Sequence, residues 1–248
     1  MDLYKRIGKR LLDLFLAVPA LIVGAPVLGI VALLVRVKLG SPVIFRQQRP
    51  GLHEKPFTIL KFRSMLPEVD GDGNHLTEIE RHTSFGRRLR RTSLDELPEL
   101  WNVVKGEMSL VGPRPLLMEY IGHYTPEHNR RHDVRPGVSG WAQINGRNDL
   151  LRSERLNLDV WYVDNMSLRL DLQIIGSTLA KVIHGSGVRV DQGVAEIDDV
   201  GLHPDSMIRR AAERAAHEAQ AADGAAAAGV GADNPSDRTR KDAAEADA

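Results

Sequence analysis

Leu14 to Val35 is an unbroken run of 22 residues without a charged side chain. As one straight helix it would extend about 33 Å, enough to cross the hydrocarbon core of a bilayer. A secretory leader is the first alternative. Its apolar region is shorter and ends at a small-residue cleavage site before a polar chain, whereas this run leads straight into Arg36 and Lys38. Lys5, Arg6, Lys9 and Arg10 precede the run, and Arg36, Lys38, Arg46 and Arg49 follow it. Positive flanks favour the cytoplasmic side. Both ends therefore ask for the same side, which a simple span cannot give them. Pro19 and Pro26 lie inside the run. A helix-interior proline removes a backbone bond and clashes with the preceding turn, at about 3 kcal/mol, and bends the helix. Their spacing is close to two turns, so the two bends fall on nearly one face and add. Two topologies stay open at this point: a segment that enters the membrane, turns near Pro26 and leaves on the side it entered, or a kinked span.

The length of 248 residues fits one domain with appendages. Its 33 basic and 33 acidic residues balance, which argues against a general nucleic-acid binder. The charges are uneven along the chain. The first 50 residues hold only two acids, Asp2 and Asp13, while the C-terminal stretch is acid-rich. There is no cysteine, so disulfides and thiolate metal sites are excluded.

Arg90 to Pro115 carries the most chemistry. An adjacent carboxylate pair, Asp95–Glu96, follows Arg90 and Arg91 and precedes Arg114, which stands between Pro113 and Pro115. Paired acids suit a hard cation, and arginine forks suit phosphate oxygens. A metal–phosphate site is the functional reading. The structural alternative is that Ser93-x-x-Glu96 is a capping box, with acids placed in a first helical turn for dipole reasons. Pro98 favours Asp95 over Ser93 as the N-cap, because the missing proline amide then falls where none is needed. Gly106 is the expected stop.

Elsewhere the pattern predicts an extended piece over Pro42–Phe45, a turn at Pro50–Gly51 and a strand over Phe57–Phe62 that carries Lys61 and leads to Arg63 and Ser64, as candidate polar groups or a solvated strand face. Residues 67–82 read as a loop and then a short helix. Phe85–Arg91, with four arginines beside Phe85 and Leu89, suits a membrane interface or a solvated helix face. Met118–His132 is expected to be helical. Arg135–Arg147 is punctuated by glycines that would let backbone approach a ligand, or it is a surface loop anchored by Trp141. Two helices are expected over 153–165 and 168–184, the second with Ile175, Leu179, Val182 and Ile183 as a core stripe. His128, His132 and His184 lack metal-ligand spacing. An Ala-rich helix is expected over 207–222 and a disordered tail beyond it.

Taken together, the motifs resemble the small monotopic phosphoglycosyl transferases, bacterial sugar transferases that act on polyprenyl phosphates. The matching pieces are KRLLD at 9–13, the apolar run with Pro26, VIFRQQRPG at 43–51 and KFRSM at 61–65. They continue with SLDELPELWNVVKGEMSLVGPRPLL at 93–117, RPGVSGWAQINGRN at 135–148 and DVWYVDNMSLRLD at 159–171. In combination they are highly specific. The resemblance implies a mostly helical α/β domain of interfacial helices, joined to a re-entrant helix-break-helix of a monotopic membrane protein. It implies a division into residues 1–39 as membrane helix, 40–188 as catalytic domain and 189–248 as a C-terminal extension, with the catalytic domain on the cytoplasmic face of the membrane. Many members carry Ser-Pro at the break, whereas this chain has Ala25–Pro26 and lacks the hydroxyl that could satisfy a freed carbonyl.

The implied reaction moves a sugar-1-phosphate from a UDP-sugar to a polyprenyl phosphate and releases UMP. By resemblance Asp95 is the nucleophile and forms a covalent phospho-sugar enzyme. Glu96 holds metal or manages a proton, and Mg²⁺ bound by Asp95 and Glu96 is the implied cofactor. Arg114 grips phosphate, with Lys61, Arg90 and Arg147 as further phosphate or nucleotide contacts. A homodimer is left open. The non-enzymatic alternative is a membrane-anchored scaffold whose basic face binds anionic lipid, with Asp95 and Glu96 only capping a helix.

Overall fold

The computed structural model describes residues 3–69, 73–145, 151–184 and 198–200, all within the compact unit Met1–Leu202. Arg147, the whole of the expected 207–222 helix and the tail lie outside the described residues. The described chain is mostly helical, with two small two-stranded sheets.

A π-helical turn over Tyr4–Gly8 leads into α1, Lys9–Lys38, a helix of 30 residues that contains both Pro19 and Pro26. The stretch Tyr4–Lys38 is long and apolar enough to cross a membrane. The helix is continuous through Pro26, although the proline has no amide to donate, so the sharp break expected there is absent as a change of secondary structure. Burial divides α1 into three parts. Ala17 packs with Phe57, Ile59, Val103 and Met108, and Val31, Val35 and Leu39 pack with Phe62 and Leu89. Between them, from Val18 to Ile30, no residue is buried.

Polar clamps reinforce the two packed ends. Lys9 Nζ makes a buried salt bridge to Asp171 at 2.6 Å and donates to Tyr162 Oη at 2.9 Å. Arg10 donates to the carbonyls of Val103 and Val104 at 2.6 and 2.7 Å. Asp13 Oδ1 accepts from Ser109 Oγ and Leu110 N, each at 2.9 Å. At the far end Arg63 donates to the carbonyls of Leu39 and Ser41. Lys9 and Arg10 read as membrane-flanking charges in the sequence; the structure spends both inside the protein.

Strands β1 (Ile44–Pro50) and β2 (Pro56–Phe62) form an antiparallel hairpin, with Phe45 opposite Lys61 and Arg49 opposite Phe57. β1 begins two residues later than the expected Pro42 start. Short α2 (Glu78–Arg81) and α3 (Ser84–Arg91) follow. Leu89 of α3 is buried and Phe85 packs beside it against α1, so these apolar residues face the interior and not a lipid surface. Helix α4, Glu99–Lys105, ends at Gly106, which adopts φ 83° and closes the helix as expected.

Strand β3 (Ser109–Val111) pairs in parallel with β4 (Gly137–Ser139). The glycines here admit backbone against backbone. A Cβ on Gly137 would lie 2.1 Å from the Gly112 nitrogen, and one on Gly112 would lie 2.4 Å from the Arg135 carbonyl oxygen. At Gly112 and Gly137 the close approach is made by the chain's own backbone. The single helix expected over 118–132 is broken into a 3₁₀ turn at Met118–Tyr120, α5 at Pro126–Asn129 and a second 3₁₀ turn at Arg130–Asp133. Pro126 has no amide to offer the preceding turn, and Thr125 caps a new start by accepting from His128 N.

Short α6 (Trp141–Asn145) leads towards α7 (Arg152–Asn165) and α8 (Leu168–His184), which match the two expected helices. Trp141 stacks on Trp161 at 4.8 Å, an anchor as expected. The core stripe of α8 is the expected one only in part: Ile175 packs against the core as expected, and the side chain of Ile183 lies outside the described residues. Leu170 and Ile174 are buried with Val111, Tyr162 and Met166, while Leu179 and Val182 are 58% and 47% exposed. With exposed Leu168 and Leu172 they form an apolar outer face at helical spacing.

Candidate active site

The site forms where α3, the start of α4, β2 and the loop after β3 meet. Ser93 turns the chain in the left-handed region, at φ 55°, and makes no side-chain cap. A 3₁₀ turn over Leu94–Glu96 follows, and α4 begins at Glu99 with Pro98 at its cap position. Asp95 is thus not the N-cap, and the Ser93–Glu96 capping box does not form. Glu96 points elsewhere: its Oε1 accepts from Lys61 Nζ at 2.9 Å and from Arg114 Nη2. Lys61 Nζ also lies 3.0 Å from Glu99 Oε1.

Asn102 fixes this arrangement. It is fully buried, its Nδ2 donates to the Thr58 carbonyl at 2.8 Å, and its Oδ1 accepts from Leu60 N at 3.1 Å. These bonds tie α4 to β2 and put Lys61 opposite the Glu96–Glu99 face. Arg114 is steadied from behind. Its carbonyl accepts from Arg131 Nη2 at 2.6 Å, and Arg131 is paired with buried Asp159 at 2.7 Å. Arg90 donates through Nε to Ser64 Oγ at 2.9 Å, which turns it towards the site.

The structure therefore brings together Asp95, Glu96, Lys61, Arg90 and Arg114. Pro26 lies apart on α1. Glu99 and Asn102 were missed in the sequence, although Glu99 follows Glu96 at the i,i+3 spacing that shares a helix face.

Asp95 is 7% exposed. Burial, then the charge of Glu96, raises its carboxyl from 3.8 to about 6, against the pull of Lys61, Arg90 and Arg114. Burial also pushes Glu96 up, but Arg114 and Lys61 outweigh it and hold Glu96 well below the usual range. Glu99 is pushed above its ordinary value by burial and by Glu96, with Lys61 as a partial offset. Glu96 stays ionised because it holds two cations; Glu99 shares one of them. The result is a shielded carboxylate beside a fixed negative charge and three cations, a setting for a nucleophile or a phosphate site. Among the described residues no three acidic or imidazole groups converge as a metal cluster. Asp95 and Glu96 remain a hard oxygen pair of the kind that binds Mg²⁺ together with substrate phosphates.

The family model for bacterial sugar transferase matches residues 4–185. The chain belongs to the bacterial sugar transferase family. Membership makes it a transferase. Among its relatives in that family is the uncharacterized sugar transferase EpsL of Bacillus subtilis, 52% identical over 181 residues, which cover 73% of this chain and 90% of EpsL. The UDP-glucose:undecaprenyl-phosphate glucose-1-phosphate transferase of Escherichia coli is 41% identical over 71% of this chain and 40% of its own length. A UDP-N-acetylgalactosamine-undecaprenyl-phosphate N-acetylgalactosaminephosphotransferase of Aeromonas hydrophila is 36% identical over 73% of this chain and 45% of its own length. This chain thus spans less than half the length of these two sugar transferases.

Proposed function

We propose that this chain transfers a sugar-1-phosphate from a UDP-sugar to undecaprenyl phosphate or a similar polyprenyl phosphate, as a first membrane step of polysaccharide or glycoconjugate assembly. The observation that carries the reading is buried Asp95, raised to about 6, among Lys61, Arg90 and Arg114. Relatives named for this reaction with glucose and N-acetylgalactosamine support the substrate class.

In the proposed sequence an Asp95 carboxylate oxygen attacks the sugar-bearing phosphorus. The bond from that phosphorus to the bridging oxygen breaks, and UMP departs with the oxygen. A phosphate oxygen of the lipid then attacks the same phosphorus and expels the Asp95 carboxylate. One difficult displacement becomes two easier ones. The obstacle is an anion attacking an anion. Arg114 and Lys61 stabilise the added charge, and Arg90 faces Asp95 from α3. Mg²⁺, held by Asp95 and Glu96 with phosphate oxygens, would neutralise the diphosphate.

The same reading assigns α1 to a re-entrant anchor with the catalytic unit on the cytoplasmic face. Its support is the burial pattern: both ends of α1 pack into one unit, and the apolar middle is bare. In this reading Pro19 and Pro26, both inside α1, bend the helix so that it returns to its entry side. The bare apolar face of α8 gives that unit a second surface to lay on the bilayer.

The test is UMP release across a panel of UDP-sugars, with polyprenyl phosphate and with or without Mg²⁺. Mg²⁺-dependent release with one sugar, and a phospho-sugar adduct on Asp95 by mass spectrometry when lipid is omitted, are expected. An adduct on another residue overturns the nucleophile, and no release with any donor overturns the reaction.

A further inference from the structure

Glu99 stands in the site, yet the reaction above gives it no part. It opens α4, and its side chain is 2% exposed. Asn102 follows at the i,i+3 spacing that shares a helix face. The two residues hold β2 at adjoining points. Asn102 takes the backbone, accepting from Leu60 N at 3.1 Å and donating to the Thr58 carbonyl at 2.8 Å. Glu99 takes the next side chain: its Oε1 lies 3.0 Å from Lys61 Nζ. That buried oxygen meets no other donor among the described residues.

Glu96 is a divided partner for the same lysine. Its Oε1 receives both Lys61, at 2.9 Å, and Arg114. The reading above also gives Glu96 to Mg²⁺, so its charge is shared among three cations. A lysine is a point charge on a flexible stem, with about 2 kcal/mol of rotamer freedom to lose. One shared carboxylate is a loose tether for it. A second carboxylate, on a helix anchored by Asn102, fixes the ammonium between two points. An ammonium carries three donors, so its hydrogen bond to Glu96 leaves N–H over for a phosphate oxygen.

The fold itself has little use for a carboxylate at this place. Burial, then the pull of Lys61 against the repulsion of Glu96, leaves Glu99 above its ordinary value, so ionising it costs the folded state. An apolar side chain there would strand no charge, because Lys61 keeps Glu96 and is itself 19% exposed. We propose that Glu99 is a positioning residue of the transfer reaction, holding the Lys61 ammonium so that it meets a phosphate oxygen of the donor. The inference rests on the transferase reading above.

The experiment uses the full chain in nanodiscs, with Glu99→Leu, Glu99→Gln, Lys61→Met and the double variant Glu99→Leu/Lys61→Met. One arm measures kcat and KM of UMP release. Glu99→Leu is expected to lower kcat at least tenfold with KM for UDP-sugar within threefold of the parent. Glu99→Gln keeps an oxygen for the ammonium and should recover most of the loss. On the Lys61→Met background Glu99→Leu should change kcat less than twofold, the non-additivity of two residues that act as one. The other arm needs no turnover. Acylation of Lys61 by an amine-reactive reagent, read by mass spectrometry against exposed Lys55, should rise at least threefold in Glu99→Leu. Unchanged Lys61 acylation overturns the clamp. A kcat within threefold of the parent for Glu99→Leu, or a full tenfold loss added to Lys61→Met, overturns the positioning role. A chain whose Lys61 is loosened by Glu99→Leu, yet which releases no UMP with any donor, keeps the clamp and loses the reaction. Should Glu99→Leu not fold, Glu99→Met takes its place in every comparison.

Discussion

Lys61 Nζ lies 2.9 Å from Glu96 Oε1, and this bond keeps a negative charge fixed beside Asp95. Glu96, in the turn before α4, is the residue through which β2 and the Arg114 loop reach one another. It explains how Asp95 can be surrounded by cations and still be raised: much of the positive charge of Lys61 and Arg114 is spent on Glu96, which also repels Asp95 directly.

Asp95→Asn should remove the covalent phospho-sugar label and stabilise the metal-free protein at high pH. The Asp95 carboxyl moves from 3.8 to about 6 on folding, so the native state binds that proton more tightly. Its contribution to stability is full below 3.8 and is lost as pH rises through about 6. A shift of about two units corresponds to about 3 kcal/mol as an upper figure. Thermal unfolding at pH 8 without Mg²⁺ should therefore show a higher Tm for the variant; an equal or lower Tm contradicts the burial argument.

Arg114→Ala should cost about 2–5 kcal/mol in kcat/KM, the range for losing one partner of a charge pair that substrate phosphate buries, since the free side chain is 42% exposed. Arg114→Lys should recover only part, because a point charge replaces a fork. Steady-state UMP release measures both, and a rate within a few-fold of the parent for Arg114→Ala removes the residue from the mechanism.

Gly137→Ala should destabilise by about 3 kcal/mol or more, since its Cβ would meet backbone atoms of Gly112 and Ser139 at 2.1–2.6 Å. Gly176→Ala on α8 meets nothing within 4 Å and should be neutral or stabilising by up to about 1 kcal/mol. Denaturant melts of the two variants, side by side, check the contrast.

His132 should make the fold sensitive to acid. Burial, with help from Arg131, lowers it from 6.5 to about 4, so the native state resists its proton. The stability it contributes is present above 6.5 and is lost as pH falls through about 4, amounting to about 3 kcal/mol. His132→Gln should flatten the stability profile between these pH values; an unchanged slope would locate the acid sensitivity elsewhere.

The topology of α1 can be read by labelling. The chain has no cysteine. Single cysteines at Leu3 and Lys38, both exposed, should react from the same side of a sealed membrane. Reaction from opposite sides identifies a kinked span.

Much of this architecture was legible in the residues. The apolar run, the Gly106 stop, the β2 strand and helices α7 and α8 follow from composition, periodicity and turn chemistry, which act over a few neighbouring residues. The break at Pro126 was legible too, but the polar and apolar pattern around it looked continuous. Leu179 and Val182 of α8 were misjudged for a different reason, while Ile175 packs against the core as expected. Leu179 and Val182 have the right spacing for a core, and nothing local says that Ile174 is the residue that meets Val111 and Tyr162.

By itself the sequence determined a long apolar helix with two prolines inside it, an acid pair flanked by arginines, and the order of motifs that marks the family. Those are properties of neighbours along the chain. Only the tertiary structure decided that Lys9 is spent on Asp171, that Glu96 takes Lys61 and Arg114 and forms no cap, and that Asn102 ties α4 to β2. Each of these depends on polar groups brought together from distant segments, and their energies are set by burial and mutual distance, which exist only once the chain has packed.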